Sequence, residues 1–320
     1  MKIYVLATDV SKFSETGFGS PESCRNFYKA IKDKYDDVRF VIIESVEQIY
    51  EVINEKPDLV ICGFKYYKDS EGNKYWISEL MENNNINLVG SPRRSIRYDS
   101  EKVSAKEELS ANGINTPKYL IVDYNELDEE RISKIHYPLF VKPVDAACSF
   151  GVDDDSIITN YEELKRKVKQ IRDDFNQNSL VEEFLPGNEY TVGIIGNGEE
   201  LIVAPIELKS PYHKNGHKFL PHKTKMDNLE THHCVDDIKL KEDIILLSKK
   251  AFEILGCRDL ARIDIKLDAN NKPSFMEINM LPGFNKGRSY YPVSFEKNFD
   301  MTYDETANAV VKAAIKRLNL

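Results

Sequence analysis

Two short stretches near the end of the chain restrict its architecture more than any other feature. Arg262-Ile263-Asp264-Ile265-Lys266 alternates polar with apolar residues, and Phe275-Met276-Glu277-Ile278-Asn279 does so from Met276 onward, the pattern of a strand that buries one face and presents the other. The second follows the first by about a dozen residues, and the two are expected to be adjacent strands. Alternation places Arg262 and Asp264 on one face and pairs Glu277 with Asn279 in the same way. Three hard oxygen donors on rigid strands suit magnesium, which takes few protein ligands and completes its shell with water and phosphate oxygens. Asp264, Glu277 and Asn279 are therefore the candidate metal ligands of a nucleotide site. Pro282-Gly283 follows directly, and a glycine there permits close approach of the backbone to a reacting group.

Upstream, short apolar runs alternate with helical patterns: strands at Ile3 to Leu6, Phe40 to Ile43 and Leu59 to Cys62, with helices at Glu22 to Tyr35 and Val46 to Asn54. Apolar strands joined by helical crossovers imply a parallel sheet, whose ligands gather at the carboxyl ends of its strands, so the loop from Thr8 to Pro21 is expected to face a cleft. A second segment opens near Gly90-Ser91-Pro92. It has a helix from Glu101 to Asn112, strands at Tyr119 to Val122 and Leu139 to Lys142, and an amphipathic helix from Tyr161 to Arg172. The third reads as strands at Leu180 to Glu183, Glu189 to Ile195, Leu201 to Ile206, Ala261 to Leu267 and Ser274 to Ile278. Its helices span Lys239 to Leu255 and Tyr303 to Arg317. The expected class is α/β, becoming α+β in the C-terminal lobes, with an N-terminal parallel domain at 1–97, a small lobe at 98–178 and a C-terminal lobe with the metal site at 179–320.

Composition removes several alternatives. A net charge of -9 leaves no concentrated basic face for a nucleic-acid partner. No window approaches the ~20 consecutive apolar residues that a membrane span requires. Met1-Lys2-Ile3-Tyr4 runs straight into strand-like sequence with no secretory signal, so a cytoplasmic location is expected. Five scattered cysteines form no C-x-x-C pair, and His213, His217, His222, His232 and His233 read as parts of a polar loop rather than a zinc site.

The R-x-D strand followed by E-x-N-x-x-P-G closely resembles the hallmark of the ATP-grasp superfamily, in its D-alanine–D-alanine ligase-like branch, over nearly the whole chain. The resemblance implies an ATP-grasp fold and ATP with two magnesium ions as cofactors, with manganese as an alternative. It implies a ligase that activates a small carboxylate as an acyl phosphate and joins it to an amine, releasing ADP and phosphate. Asp264, Glu277 and Asn279 inherit the metal sites, and Arg262 and Gly283 the stabilisation of the tetrahedral oxyanion. Leu180-Val181-Glu182-Glu183-Phe184-Leu185 resembles the adenosine-binding strand. Glu182 then accepts from the adenine amino group, the backbone at Glu183 meets the ring edge, Phe184 and Leu185 line the pocket and Glu189 binds ribose. Lys142, Lys102 and a lysine from the 211–227 lid, taken as Lys218, are implied as phosphate ligands. Backbone at Cys148 and Ser149 belongs to the loop that closes over the phosphates. Members of the family are often homodimers.

The chain departs from that pattern at the substrate side. Cys148 stands where the family has a serine that helps position the first D-alanine, and the family's histidine segment becomes Cys62-Gly63-Phe64-Lys65-Tyr66-Tyr67. Glu22 is the candidate for holding the first substrate's amine, with Arg288, Ser289 and Tyr290 candidates for the second substrate's carboxylate. These departures favour an amino-acid or dipeptide ligase over cell-wall D-alanine–D-alanine ligation, which stays as the alternative. A catalytically silent ATP-binding protein is the alternative of another class. A dinucleotide-binding oxidoreductase fits poorly, since Gly17-Phe18-Gly19-Ser20-Pro21-Glu22 lacks the third glycine of that fingerprint.

Overall fold

A computed structural model describes residues 1–9, 17–144, 151–210 and 229–320. Its strands are β1 (Lys2–Ala7), β2 (Asp37–Ile42), β3 (Leu59–Cys62), β4 (Tyr66–Lys68), β5 (Lys74–Trp76), β6 (Tyr119–Val122) and β7 (Leu139–Pro143). They continue with β8 (Ile157–Ile158), β9 (Ser179–Glu183), β10 (Glu189–Gly196), β11 (Ile202–Lys209), β12 (Thr231–Cys234), β13 (Asp259–Leu267) and β14 (Pro273–Asn279).

The N-terminal sheet is parallel, in the order β2-β1-β3. β3 is apolar throughout and β1 is buried from Ile3 onward, as expected where helices cover both faces of a sheet. On one side Tyr4, Leu6, Val60 and Cys62 pack against the Val46–Asn54 and Ile77–Asn83 helices. On the other, Ile3, Val5 and Ile61 share a core with Phe27 of the Pro21–Ile31 helix and with Phe284, Tyr291, Val310 and Ala314 from the far end of the chain. The last helix, Tyr303–Leu318, starts with a reciprocal capping box between Thr302 and Glu305. It closes the N-terminal lobe's core, so the two ends of the chain are held as one packed unit.

The middle sheet is antiparallel, in the order β6-β9-β7-β8, with the Tyr161–Phe175 helix burying Leu164, Val168 and Ile171 against it. β9, which the sequence grouping places with the C-terminal strands, lies between β6 and β7 instead. An apolar run specifies a strand, not its partners, and here the partners precede it by tens of residues. The C-terminal sheet follows the order β12-β11-β10-β13-β14 and is antiparallel throughout. Its inner face packs Val192, Ile194, Ile263 and Ile265 against the Ile238–Ile254 and Lys102–Ala111 helices. The β4-β5 hairpin, β12 and the Ile77–Asn83 and Tyr290–Phe299 helices are additions that the sequence pattern does not announce.

The Tyr290–Phe299 helix covers one end of the sheet's other face, where Gly193 makes room for it. A Cβ at Gly193 would lie 2.2 Å from Ser294 Oγ and 2.8 Å from the Phe295 ring. Gly193→Ala is accordingly expected to lower stability by about 1–3 kcal/mol through overpacking. An unchanged thermal unfolding midpoint would show that the helix has room to shift. No helix among the described residues is long and apolar enough to cross a membrane.

Candidate active site

The end of that face which the helix leaves open is polar. Antiparallel register sets Glu189 against Lys266, Thr191 against Asp264 and Gly193 against Arg262 on β10 and β13. On the other side of β13, Arg262 opposes Asn279 and Asp264 opposes Glu277. The strand alternation thus brings Arg262, Asp264, Glu277 and Asn279 together as the sequence pattern requires. A bulge between Asp264 and Ile265 then shifts the register by one, leaving Met276 as the extra residue of β14. Phe275 consequently turns into the hydrophobic core, although strict alternation would put it on the face of Glu277.

Two carboxylates directly opposite each other repel, and each is met by a cation. Arg262 donates two hydrogen bonds to Asp264, from Nε at 3.0 Å and from a terminal nitrogen at 2.8 Å. Thr191 donates to the same carboxylate at 2.6 Å. Burial pushes the Arg262 pKa down, but the Asp264 charge outweighs it, and the net shift is upward. Glu277 pairs with Lys102 Nζ at 3.1 Å, from the first turn of the Lys102–Ala111 helix. Asp264, Glu277 and Asn279 form a hard-oxygen donor set on neighbouring register positions, and the Asn279 amide nitrogen is buried without a hydrogen-bond partner among the described residues. Among those residues no group of three His, Cys, Asp or Glu is placed to hold a metal ion. The set of Asp264, Glu277 and Asn279 fits a magnesium ion whose remaining positions go to water and phosphate.

In the middle sheet, Glu182 on β9 is 1% exposed and lies between two lysines. Lys106 Nζ is 2.7 Å from one carboxylate oxygen and Lys142 Nζ 2.8 Å from the other. Burial alone pushes the Glu182 carboxyl up; the two ammonium groups outweigh it and hold its pKa at about 2. Lys106 moves down from its ordinary value, burial outweighing the attraction of Glu182. Lys106 went unrecognised in the sequence, although its spacing of four from Lys102 puts both on one helix face. Glu183 points the opposite way, toward His136 at 3.2 Å and Lys118 at 3.9 Å, so its side chain stands outside this cluster. Phe184 and Leu185 are buried, and Lys266 Nζ sits 5.7 Å from the centre of the Phe184 ring. Lys266 also reaches Glu189 at 3.9 Å.

Of the residues expected to meet the substrates, Glu22 is turned to solvent, 3.8 Å from Arg25 and 3.9 Å from Lys29 on its own helix. Because Pro21 starts that helix, the inward position falls to Ser23, whose hydroxyl donates to Asn285 in the segment after Gly283. The structure therefore does not bring Glu22 to the cluster. Ser289 accepts from the Asn285 N–H at 2.9 Å, and a Cβ at Gly283 would meet Ser289 Oγ at 3.0 Å. Arg288 is exposed. Tyr290 stands beside Arg262, whose guanidinium lies 5.6 Å from the ring centre, and donates to Glu230. Burial and the Glu230 bond together raise its pKa. Cys148, Ser149 and Lys218 lie outside the described residues.

A parallel-sheet lobe, a small antiparallel lobe and a larger antiparallel lobe, with lysine–carboxylate pairs where the two antiparallel lobes meet, define an ATP-grasp enzyme. The same fold is found in the D-alanine–D-alanine ligase of Bacillus anthracis complexed with ATP, which superposes with a TM-score of 0.76 at 19% identity, covering 100% of this chain and 99% of the other. A D-Ala:D-Ser ligase of Enterococcus faecalis gives a TM-score of 0.68 at 18% identity, covering 98% and 99%. Residues 109–311 match the family described as D-ala D-ala ligase C-terminus, and the chain belongs to that family. Among curated relatives, D-alanine–D-alanine ligase B of Clostridium perfringens is 24% identical over 98% of this chain and all of its own length. The enzyme of Oenococcus oeni is 32% identical over 66% of this chain and 57% of its own. The protein is an ATP-dependent ligase that forms carbon–nitrogen bonds.

Proposed function

We propose that this ligase joins two small amino acids, or an amino acid and a short peptide, and that its first substrate differs from D-alanine. The observation that carries the assignment of the site is the register Arg262 against Asn279 and Asp264 against Glu277, with Arg262 and Lys102 compensating the acids. ATP supplies the phosphoryl group that activates a carboxylate as an acyl phosphate, and Mg2+, as two ions, the neutralisation of phosphate charge. Asp264, Glu277 and Asn279 would hold the metal.

The residues of the chain divide the remaining work. Lys102 and Lys142 place positive charge at the phosphates, and Glu182 keeps Lys142 and Lys106 oriented. Phe184 and Leu185 give the nucleotide base an apolar slot, with Glu189 at the ribose. Arg262 and the Gly283 N–H receive the charge that develops on the carbonyl oxygen as the amine attacks. Ser289, Arg288 and Tyr290 face the acceptor. The nucleotide sits between the β6-β9-β7-β8 lobe and the C-terminal lobe, against whose sheet the Lys102–Ala111 helix packs. The departures that favour a different first substrate are the outward Glu22, the inward Ser23 and the lysine-bearing segment after Cys62. The names of the relatives favour a second reading, D-alanine joined to D-alanine.

Magnesium-dependent ADP release, screened over pairs of D- and L-amino acids with D-alanine included, separates the two. Release with another pair but little with D-alanine alone is the expected result. Full turnover with D-alanine alone would replace our reading with the second one.

A further inference from the structure

Between the N-terminal lobe and the Pro282-Gly283 turn lies a buried ion pair that neither the nucleotide nor the metal residues require. Lys65 leaves the end of β3 in the segment that departs from the family pattern. Its Nζ stands 2.8 Å from Asp99 Oδ1, and both side chains are 6% exposed. The other oxygen of Asp99 accepts the backbone N–H of Met280 at 2.8 Å and that of Leu281 at 3.4 Å. Those two amides lie between Asn279 and Pro282, so Asp99 grips the peptide planes that link the metal donor to the oxyanion glycine. A second strap holds the far side of the turn, where the Phe284 N–H donates to Phe18 O at 2.9 Å. Phe18 itself is anchored by its N–H on Gly63 O at 2.9 Å, two residues before Lys65.

A buried carboxylate that binds backbone amides is stable only with a compensating cation, and Lys65 provides it. Charge-assisted bonds to peptide N–H groups are short and directional, so the pair fixes where the turn points rather than merely filling space. We propose that Lys65 and Asp99 are positioning residues for the amide-forming step, an electrostatic clamp through which the N-terminal lobe aims Asn279 and the Gly283 N–H at the reacting groups. The inference rests on the roles proposed above for Asn279 and Gly283.

The test compares Asp99→Asn, Lys65→Met and Gly283→Ala with the unaltered enzyme, using the amino-acid pair that gives the most ADP in the screen. ADP and amide product are measured separately. Asp99→Asn is expected to lower kcat for product about 10- to 100-fold, in the range of misplaced catalytic groups, with the KM for ATP within about twofold. Product formed per ADP should fall, because a mis-aimed turn leaves the acyl phosphate to water. Lys65→Arg should restore coupling where Lys65→Met loses it, and the double variant should be no worse than the worse single one, as expected for groups that act as a unit. A merely structural role would lower the thermal midpoint while each ADP still yielded one product. If Gly283→Ala uncouples and a folded Asp99→Asn or Lys65→Met does not, the clamp is refuted alone. If Gly283→Ala stays fully coupled, the reading of the turn falls and the clamp with it.

Discussion

Replacing Glu182 with glutamine is expected to destabilise the protein by about 3–5 kcal/mol, the usual consequence of removing one partner from a buried ion pair. The substitution preserves shape but leaves Lys106, fully buried, and Lys142 facing each other with no anion between them. Thermal or urea unfolding measures the loss, and a variant within about 1 kcal/mol of the parent would show that the lysines are compensated from elsewhere. The pH dependence follows from the same geometry. The carboxyl falls from an ordinary 4.5 to about 2 on folding, so its contribution is complete above about 4.5 and disappears as the pH drops toward 2. That displacement corresponds to about 3 kcal/mol. Lys106 offsets part of it, since burial lowers its pKa and makes the ammonium costly wherever the unfolded chain would carry it freely. Acid unfolding of the parent should therefore steepen between about pH 4.5 and 2, and Glu182→Gln should remove this component.

Much of the site was legible in the sequence because two neighbouring strands have a period of two, and that period alone puts Arg262 with Asp264 and Glu277 with Asn279. The same rule fails at Phe275, where the bulge at Met276 sends to the core an aromatic ring that alternation assigns to the face of Glu277. A bulge is a property of two paired strands, and nothing in one strand's pattern marks it. The apolar run of β9 marks a strand, but its place between β6 and β7 depends on partners far away in the chain. Glu22 and Ser23 differ by one position at the start of a helix, about 100° of rotation, and Pro21 decides which of them faces inward. Asp99 carries no local signal, since its importance comes from two backbone amides at Met280 and Leu281 that only the folded chain delivers.

The same chemical change at Glu277 should leave the fold standing and abolish the reaction. Glu277 has 26% of its side chain exposed and pairs with Lys102, whose side chain is 10% exposed, so losing this pair costs on the order of 1 kcal/mol or less. What is lost is a formal charge where, on the proposed assignment of the site, phosphate and metal charges would have to balance. Glu277 faces Asp264 directly, and both acids are tolerated there only because cations flank them. Glutamine keeps an oxygen but not the charge, and Lys102 is then released toward the phosphates without its counterion. Stabilisation of developing charge by one fixed group is typically worth a factor of about 10²–10³ in rate, and Glu277, as a proposed metal ligand, would contribute through the metal as well. ADP release by Glu277→Gln is therefore expected to fall by at least about 10³-fold, with the unfolding midpoint nearly unchanged. Glu182→Gln gives the complementary pattern, a large loss of stability from an acid that never meets the metal. Steady-state kinetics beside thermal unfolding on both variants distinguishes the roles, and a Glu277→Gln enzyme that still turns over ATP would remove Glu277 from the metal site.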